Sequence, residues 1–502
     1  MSQIRKRSLK ATIWIYIGFL IGALNTYFLT HKDWFTPDEN GLTRIMIEVS
    51  MLIFAFSTFG VTTYLFKFFP YYKDNIEDSK NDLLGLALKI ASAGFILTCA
   101  GLWLMEPLVV RKFSANSALF VEYFYWCLPM ACFVLMYNLL ESYAYGYDHG
   151  VTTSLLKETI LRLYTLVILV LKVLGFITFH TFILLFALQY AVIVLILIIY
   201  LKSKNHLWIT FRKSRVTEKF RKKIMALMGL TFIVIVVNVL RSSIDGIVLA
   251  AKQNLAAVGV FGLAAYMVSV MQAPFRSMVA VTIPILSRSW KNKDIKEITR
   301  IYKRSSINLL TFSLLIFFCI WLNFESAIIY FGINPAYLQG KWVFFMLGMV
   351  AIIEMGTGVN SQIIGTSVYW RFELWTSILL TALIIPLSYY LTVKYGILGP
   401  AIANVVSFFI YNYIRFHFLW KKYNMQPFTR KTLEVIITAA GSYFITWFTL
   451  KETTGLWNLI LNPLMFATIF ICVVYYRNIS PDVKPVVYSL RNRFFRREKE
   501  GL

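Results

Sequence analysis

Apolar residues occur along this chain in long, almost uncharged runs that are separated by short polar segments. A run of roughly 20 apolar residues crosses the ~30 Å hydrocarbon core of a bilayer as an α-helix. The runs lack the alternation of polar and apolar positions that is typical of membrane barrels. The pattern predicts an all-α integral membrane protein with about 14 transmembrane helices. These lie near residues 9–30, 42–68, 83–105, 118–146, 152–175, 180–201, 223–248, 256–286, 305–322, 341–367, 371–393, 398–420, 431–450 and 456–476.

Composition supports the same class. Of the 502 residues, 58% are hydrophobic and only 15% are charged. Soluble domains are about half apolar and about a quarter charged. Once the apolar runs are set aside, no segment long enough for a soluble domain remains.

Basic residues determine the predicted orientation. The formal net charge is +25, and the positive residues concentrate in every second loop. Such asymmetry follows the positive-inside rule and places both termini in the cytoplasm. Because the charge is spread over loops rather than over one face of a soluble domain, nucleic acid is excluded as a partner. The basic segments are 202–223, 288–304, 421–431 and 491–499.

The predicted helices fall into two similar halves at an offset of roughly 220 residues, and an even-numbered repeat predicts parallel copies around a central cleft. Phe69-Pro70 after the second helix corresponds to Ile283-Pro284 after the eighth. Rocking of two such bundles gives alternating access. The predicted organisation is an N-terminal bundle of about six helices, a basic amphipathic cytoplasmic linker on the inner membrane surface, a C-terminal bundle of about six helices, two additional transmembrane helices and a basic cytoplasmic tail. Their ranges are 1–201, 202–223, 224–420, 421–476 and 477–502.

Three short stretches resemble a known family. They are Phe35–Leu42 (FTPDENGL), Asp245–Leu249 (DGIVL) and Val258–Phe261 (VGVF), the last continuing to Pro274. With the helix number and the basic linker, they make the chain similar to the polysaccharide transporters, including O-antigen flippases, of the multidrug/oligosaccharidyl-lipid/polysaccharide exporter superfamily. The likeness covers roughly residues 1–420 and rests on structural turns. Phe261 stands where the family usually has Tyr.

The resemblance implies a transporter rather than an enzyme, located in the bacterial cytoplasmic (inner) membrane. Its expected cargo is a polyprenyl-pyrophosphate-linked oligosaccharide, the precursor of a surface polysaccharide or of the O-antigen of lipopolysaccharide. Membrane lipids, a polysaccharide polymerase and glycosyltransferases are the other expected partners. No GxxxxGK[ST] loop and no cluster of metal ligands occurs in the sequence, so we expect no cofactor, and transport would couple to an H⁺ or Na⁺ gradient.

Ionisable side chains far from helix ends are costly in hydrocarbon and mark candidate sites. Arginine suits a pyrophosphate because its planar fork donates hydrogen bonds in pairs and remains charged. The candidate phosphate-binding cations are Arg162, Arg241 and Arg276. The candidate sugar contacts are Tyr266, Gln272 and Asn360. The candidate coupling-ion carboxylates are Glu48, Asp245 and Glu354.

Structural pairing is the competing interpretation for several of these charges. Oppositely charged residues four apart on a helix can neutralise each other, as in Arg44/Glu48, Glu158/Arg162 and Arg241/Asp245. In the sequence, Arg276 and Glu354 have no opposite charge within one helical turn. These two are therefore the first choices for substrate or ion binding. Pro274, beside Arg276, predicts a kink.

Three alternative functions remain open from the sequence. A multidrug or cation antiporter of the same fold would favour an acidic, aromatic cleft, and a peptidoglycan-precursor flippase has nearly the same chemistry as the first choice. A polysaccharide polymerase or ligase would need a large outer loop with catalytic groups. The longest predicted outer loop, residues 323–340, contains Glu325 as its only acid.

Overall fold

The computed structural model of the protein describes residues 2–451, 455–482 and 484–485. All regular secondary structure in those residues is helical, so the predicted all-α membrane class is confirmed. The chain divides into two compact units, residues 1–259 and residues 260–502.

The helices of the first unit follow one another with short connections. They are α1 (Ser2–Thr30), α2 (Pro37–Ser57), α3 (Val61–Lys73), α4 (Leu83–Phe113), α5 (Ala118–Tyr123), α6 (Cys127–Gly146), α7 (Gly150–Leu155), α8 (Leu161–Val173), α9 (Phe179–Ala187), α10 (Gln189–Ser203) and α11 (Arg215–Lys252). A π-helical turn, Leu156–Ile160, joins α7 to α8. The next helix, α12 (Leu255–Met271), begins in this unit and continues into the second.

The second unit contains the remaining helices. They are α13 (Ala273–Lys291), α14 (Ile295–Tyr330), α15 (Gly340–Gly356), α16 (Asn360–Gly365), α17 (Trp370–Tyr395), α18 (Leu398–Tyr423), α19 (Arg430–Thr449) and α20 (Gly455–Tyr476). Short 3₁₀ turns occur at Asp78–Lys80, Phe124–Trp126 and Pro335–Gln339.

Each predicted transmembrane segment coincides with helix in the structure. Within the described part of the chain, nine helices are long and apolar enough to cross a membrane, or ten if the bent pair α12 and α13 is one span. The predicted number of about 14 is therefore not confirmed. The reason lies in composition and continuity: α18 carries Arg415 and His417 among its apolar residues, and the segment around the π-helical turn is broken into short pieces.

The basic segment at residues 202–223 differs from the predicted surface helix. Residues 205–214 are not helical, and α11 begins at Arg215. Ser214 caps this helix by accepting a hydrogen bond from the Thr217 amide at 3.2 Å. Asp82, just before α4, accepts from the Ser214 amide at 3.1 Å and from the Thr217 hydroxyl at 2.7 Å. Because α11 packs along α2 and α3, the compact units divide at Gly259 and not within this segment.

Apolar packing holds each unit together separately. In the first unit, aromatic residues of α3 and α6, including Tyr64, Phe69 and Tyr137, form one core with α4 and α10. In the second unit, α14, α19 and α20 meet around Phe466 and Phe470. A further cluster joins α13, α14, α16 and α18.

Several predicted spans are broken at defined residues. Gly60, with φ of +75°, separates α2 from α3, and Gly358, with φ of +63°, separates α15 from α16. Both φ values lie in the left-handed region that favours glycine. The axes of α12 and α13 meet at 44°. Pro274 lies in the first turn of α13 and cannot donate a backbone hydrogen bond to α12, so the predicted kink is confirmed.

Candidate functional site

Two of the three family-like stretches contact each other in the first unit. Thr36 and Glu39 form a capping box at the start of α2. Asp38 accepts a hydrogen bond from the Ala256 amide at 2.9 Å and so caps the first turn of α12. A Cβ on Gly41 would lie 1.8 Å from the Leu255 carbonyl oxygen, so only glycine permits this approach. These residues position helices and contribute no chemistry of their own.

Glu48 lies at the contact between α2 and α11. Its carboxylate is 12% exposed and contacts the Arg44 guanidinium at 3.3 Å, so this pair forms as spaced in the sequence. A Cβ on Gly246 would lie 1.8 Å from Glu48 Oε2, which means that the glycine leaves the space that the carboxylate fills. The neighbouring Asp245 repels the Glu48 charge electrostatically. Two carboxylates and one guanidinium thus share a confined place, which suits reversible uptake of a cation.

Arg241 lies on the same face of α11 as Asn238, as the spacing predicts. Its Nη2 donates to Asn238 Oδ1 at 3.1 Å. Asn238 in turn donates to the Val234 carbonyl oxygen at 2.9 Å. The guanidinium is partly exposed and remains at the surface of its own helix.

Arg162 lies immediately after the π-helical turn and pairs with Glu158 at 2.9 Å. The guanidinium also lies 5.3 Å from the centre of the Phe19 ring on α1. Its Nη1 is buried and has no hydrogen-bond acceptor among the described residues. A buried donor of this kind can bind an anionic oxygen that enters the site.

The π-helical turn also places Lys157 toward α6. Lys157 Nζ contacts Glu141 Oε2 at 3.2 Å, and Tyr145 donates to Glu141 Oε1 at 3.2 Å. The extra residue per turn therefore lets the adjacent Lys157 and Glu158 reach different partners. Sequence spacing predicted the Glu158 pair, whereas only the fold brings Lys157 and Glu141 together.

Four predicted site residues of the second unit lie at or against the bend between α12 and α13. Gln272 Nε2 donates to Glu354 Oε2 at 3.1 Å, joining the bend to α15. Arg276 Nη2 donates across the bend to the Ser269 carbonyl oxygen at 3.4 Å. Tyr266 lies one turn earlier, and its carbonyl oxygen accepts from the Ser269 hydroxyl at 2.7 Å. The bend therefore gathers a cation, a carboxylate, an amide and an aromatic residue.

Asn360 has a different role from the predicted sugar contact. It is 3% exposed, and its Nδ2 donates to Asn412 Oδ1 at 3.0 Å. The Thr357 hydroxyl lies 2.9 Å from the same oxygen. The Val359 amide at this helix break donates to the Ser305 hydroxyl at 3.3 Å. Asn360 thus belongs to the buried polar packing that satisfies the interrupted helix, out of reach of a ligand.

A buried ion pair in the second unit was not found from the sequence. Arg415 is 2% exposed and donates to Glu373 through Nη2 and to Thr376 through Nε. It also lies 3.7 Å from the centre of the Tyr411 ring. Its mid-membrane character is masked in the sequence by its closeness to the basic end of α18. The partners are 42 residues apart, so no helical spacing relates them.

No group of three or more His, Cys, Asp or Glu side chains that could hold a metal ion occurs in the part of the chain that the structure describes. The candidate chemistry is therefore that of arginines, carboxylates and neutral polar groups. Such groups can bind a polar anionic cargo and a coupling cation.

Comparison of the architecture with solved structures identifies its class: the fold is that of transporters of the MOP superfamily. A structure described as "Lipid II flippase MurJ, inward closed conformation" is similar at a TM-score of 0.74 and 15% identity, over 93% of this chain and 99% of that one. An inward-facing multidrug resistance MATE family transporter of the MOP superfamily is similar at a TM-score of 0.61 and 14% identity, over 82% of this chain and 99% of that one.

An outward-facing multidrug resistance MATE family transporter gives a TM-score of 0.53 at 14% identity, over 84% of this chain and 96% of that one. No family model and no curated protein matches the sequence. At these identities the likeness establishes the fold.

Proposed function

We propose that this protein is an alternating-access transporter that moves a polyprenyl-pyrophosphate-linked oligosaccharide across the cytoplasmic membrane. The observation that carries the proposal is the fold, which matches a lipid II flippase over nearly the whole of both chains. The O-antigen and surface-polysaccharide cargo comes from the sequence resemblance described above.

The extent of the match favours a flippase over a multidrug transporter. The flippase alignment leaves out 7% of 502 residues, which is about 35 residues. Helices α19 and α20 together contain 20 and 22 residues, which is 42. The alignment therefore includes at least part of these two helices. The multidrug transporter alignment leaves out 18%, or about 90 residues.

The chemistry of the bend suits such a cargo. A pyrophosphate needs cations that stay charged in a low-dielectric surrounding, and arginine meets this need. Arg276 can contact phosphate, while Tyr266 and Gln272 offer hydroxyl and amide groups to a sugar. Arg162 and Arg241 supply further cations in the first unit.

Coupling to an ion gradient is assigned to carboxylates. Glu48 with Asp245 in the first unit, and Glu354 in the second, lie within membrane-spanning helices. A carboxylate there can bind a proton or Na⁺ at modest cost, because protonation or ion binding removes the buried charge. No cofactor enters this scheme.

A peptidoglycan-precursor flippase is the second candidate, favoured by the similarity to a lipid II flippase. Its cargo has the same chemical parts, a lipid, a phosphate linkage and sugars. The two candidates therefore share every residue assignment made above, and cellular phenotype separates them.

The test is deletion of the gene in its native host, with quantification of surface polysaccharide and of lipid-linked saccharide. We expect loss of the surface polymer and accumulation of the intermediate on the inner side. Accumulated peptidoglycan precursor would support the second candidate. Normal polymer with increased sensitivity to cationic drugs would overturn the proposal in favour of a multidrug exporter.

Complementation of the deletion strain tests the site. Arg276→Ala should fail to restore the polymer while its membrane level stays normal. Arg288→Ala is the matched control, because Arg288 is an exposed arginine at the far end of the same helix. Equal restoration by both variants would remove Arg276 from the site.

A further inference from the structure

A cavity lies at one end of the second unit, where α14 and α19 end and where α15 and α20 begin. Its volume is about 260 Å³, and Trp321, Glu325, Lys341, Trp447 and Asn458 are among its walls. Pockets for drug-sized ligands have volumes of roughly 300–1,000 Å³. The cavity therefore suits one ring-sized ligand. None of its wall residues belongs to the sites described above.

The position along α14 fixes which membrane surface the cavity faces. Arg304 and Glu325 lie on this helix and are 325 − 304 = 21 residues apart. At about 1.5 Å per residue this separation is roughly 30 Å, the thickness of the hydrocarbon core. The basic end of α14 is the cytoplasmic end by the positive-inside rule. The cavity therefore opens at the outer surface.

The walls combine aromatic faces with hydrogen-bonding groups. Trp321, Tyr443 and Trp447 supply rings, and Asn458 and Asn462 supply amides. A sugar ring has an apolar face of C–H groups and an edge of hydroxyls. It is recognised by an aromatic surface next to donors and acceptors, which is the composition found here.

Helix packing explains only part of this arrangement. Asn458 donates to the Ser326 hydroxyl at 2.8 Å, and Asn323 donates to the Leu459 carbonyl oxygen at 3.3 Å, so these amides join α14 to α20. Packing gives no reason for aromatic rings and charged groups around an open volume at the same place.

The charges of the walls favour an acidic ligand. Lys341 contacts Glu325 at 2.7 Å, so these two charges offset each other. Lys451 is a further wall residue and lies 5.5 Å from the centre of the Trp447 ring. One acid and two lysines leave a formal excess of one positive charge. Lys451 is placed to contact an anionic group on a ligand that stacks against Trp447.

We propose that this cavity is an outer-surface binding site for a single sugar ring, with preference for a sugar that carries a carboxylate. The site goes beyond the proposed transport function and lies apart from the bend between α12 and α13. It would hold the saccharide part of a ligand on the outer side of the membrane.

The test is saturation-transfer difference NMR on the purified full-length protein in nanodiscs, with glucuronic acid and glucose as probes. We expect signals for both sugars and two- to fivefold tighter binding of glucuronic acid, about the effect of one exposed charge contact. Lys451→Gln should remove this preference. Lys394→Gln is the matched control, since Lys394 is another lysine at a predicted outer loop, outside the cavity walls.

Trp447→Leu should weaken binding of both sugars about tenfold, as expected for a buried aromatic contact. Trp457→Leu is its control, because Trp457 is exposed on α20 and does not line the cavity. Absence of signals with either sugar, or signals that Trp447→Leu leaves unchanged, would overturn the proposal. Binding is measured without transport, so a protein that binds sugar yet moves no lipid-linked saccharide would contradict the proposed function alone.

Discussion

The two units treat equivalent charges differently. In the first, Arg162 meets a carboxylate four residues away, and Arg44 likewise meets Glu48. In the second, Arg276 donates to a backbone carbonyl oxygen, and Glu354 accepts from the neutral amide of Gln272. All of these residues lie within helices that the sequence predicts to cross the membrane.

This difference separates charges held by local ion pairing from charges held by neutral groups at a bend. An ion pair within one helix forms wherever the helix forms, and it offsets part of the cost of the charge in hydrocarbon. A hydrogen bond to a neutral group orients the charged side chain without neutralising it. We therefore expect substitutions in the first unit to affect stability more, and those at the bend to affect transport more.

The largest effect is expected for the buried ion pair of the second unit, the extreme case of pairing. Arg415→Met leaves Glu373 with a buried charge and without its guanidinium, and loss of one member of a buried pair costs about 3–5 kcal/mol. We expect low membrane levels and a strongly reduced thermal midpoint. Arg371→Met, which removes an exposed arginine near Glu373, should change neither. Similar midpoints for both variants would show that the pair adds little.

Next in size is a glycine that positions a carboxylate. Gly246→Ala puts a methyl group where Glu48 Oε2 lies and should displace the carboxylate. We expect transport to fall about tenfold or more, corresponding to at least roughly 1.4 kcal/mol, at an unchanged membrane level. Gly229→Ala on the same helix has open space around it and should have no effect. If both variants transport normally, Glu48 has no part in coupling.

A matched pair of isosteric changes tests the comparison directly. Glu158→Gln removes the charge that pairs with Arg162 and should lower stability by about 1–2 kcal/mol. Glu354→Gln keeps a hydrogen-bonding amide opposite Gln272, so stability should change by less than about 1 kcal/mol while gradient-driven transport is lost. Thermal unfolding and transport are measured on both variants. The reverse assignment of the two effects would refute the distinction between the units.

The smallest effect concerns a histidine outside the membrane-spanning helices. His206 Nδ1 and His149 Nε2 lie 2.9 Å apart. Burial, followed by the charge of Lys73, lowers the pKa of His206 below its ordinary 6.5. The unfolded chain then binds the proton more readily, so this histidine reduces stability as the pH falls below about 6.5.

His206→Gln should remove this acid-side loss, which we expect to be under about 1 kcal/mol. The measurement is the difference in thermal midpoint between pH 5.5 and pH 7.5. His31→Gln, in the same unit, serves as the control variant and should leave that difference unchanged. An unaltered difference in His206→Gln would assign the pH dependence to other groups.

The sequence alone determined the membrane class, the positions of the helices and the pairs four residues apart. It also predicted the bend at Pro274 and the shared face of Asn238 and Arg241. These features depend on composition or on residues within one helical turn. Helix geometry places such residues side by side whatever the rest of the chain does.

Only the tertiary structure decided the contacts between helices. It joined Gln272 to Glu354, 82 residues away, and Arg415 to Glu373, 42 residues away. It also buried Asn360 at a helix break, where the sequence had suggested a sugar contact. Side chains on different helices meet only through the packing register of those helices. That register depends on close approaches such as Gly246 against Glu48, which no spacing along the chain encodes.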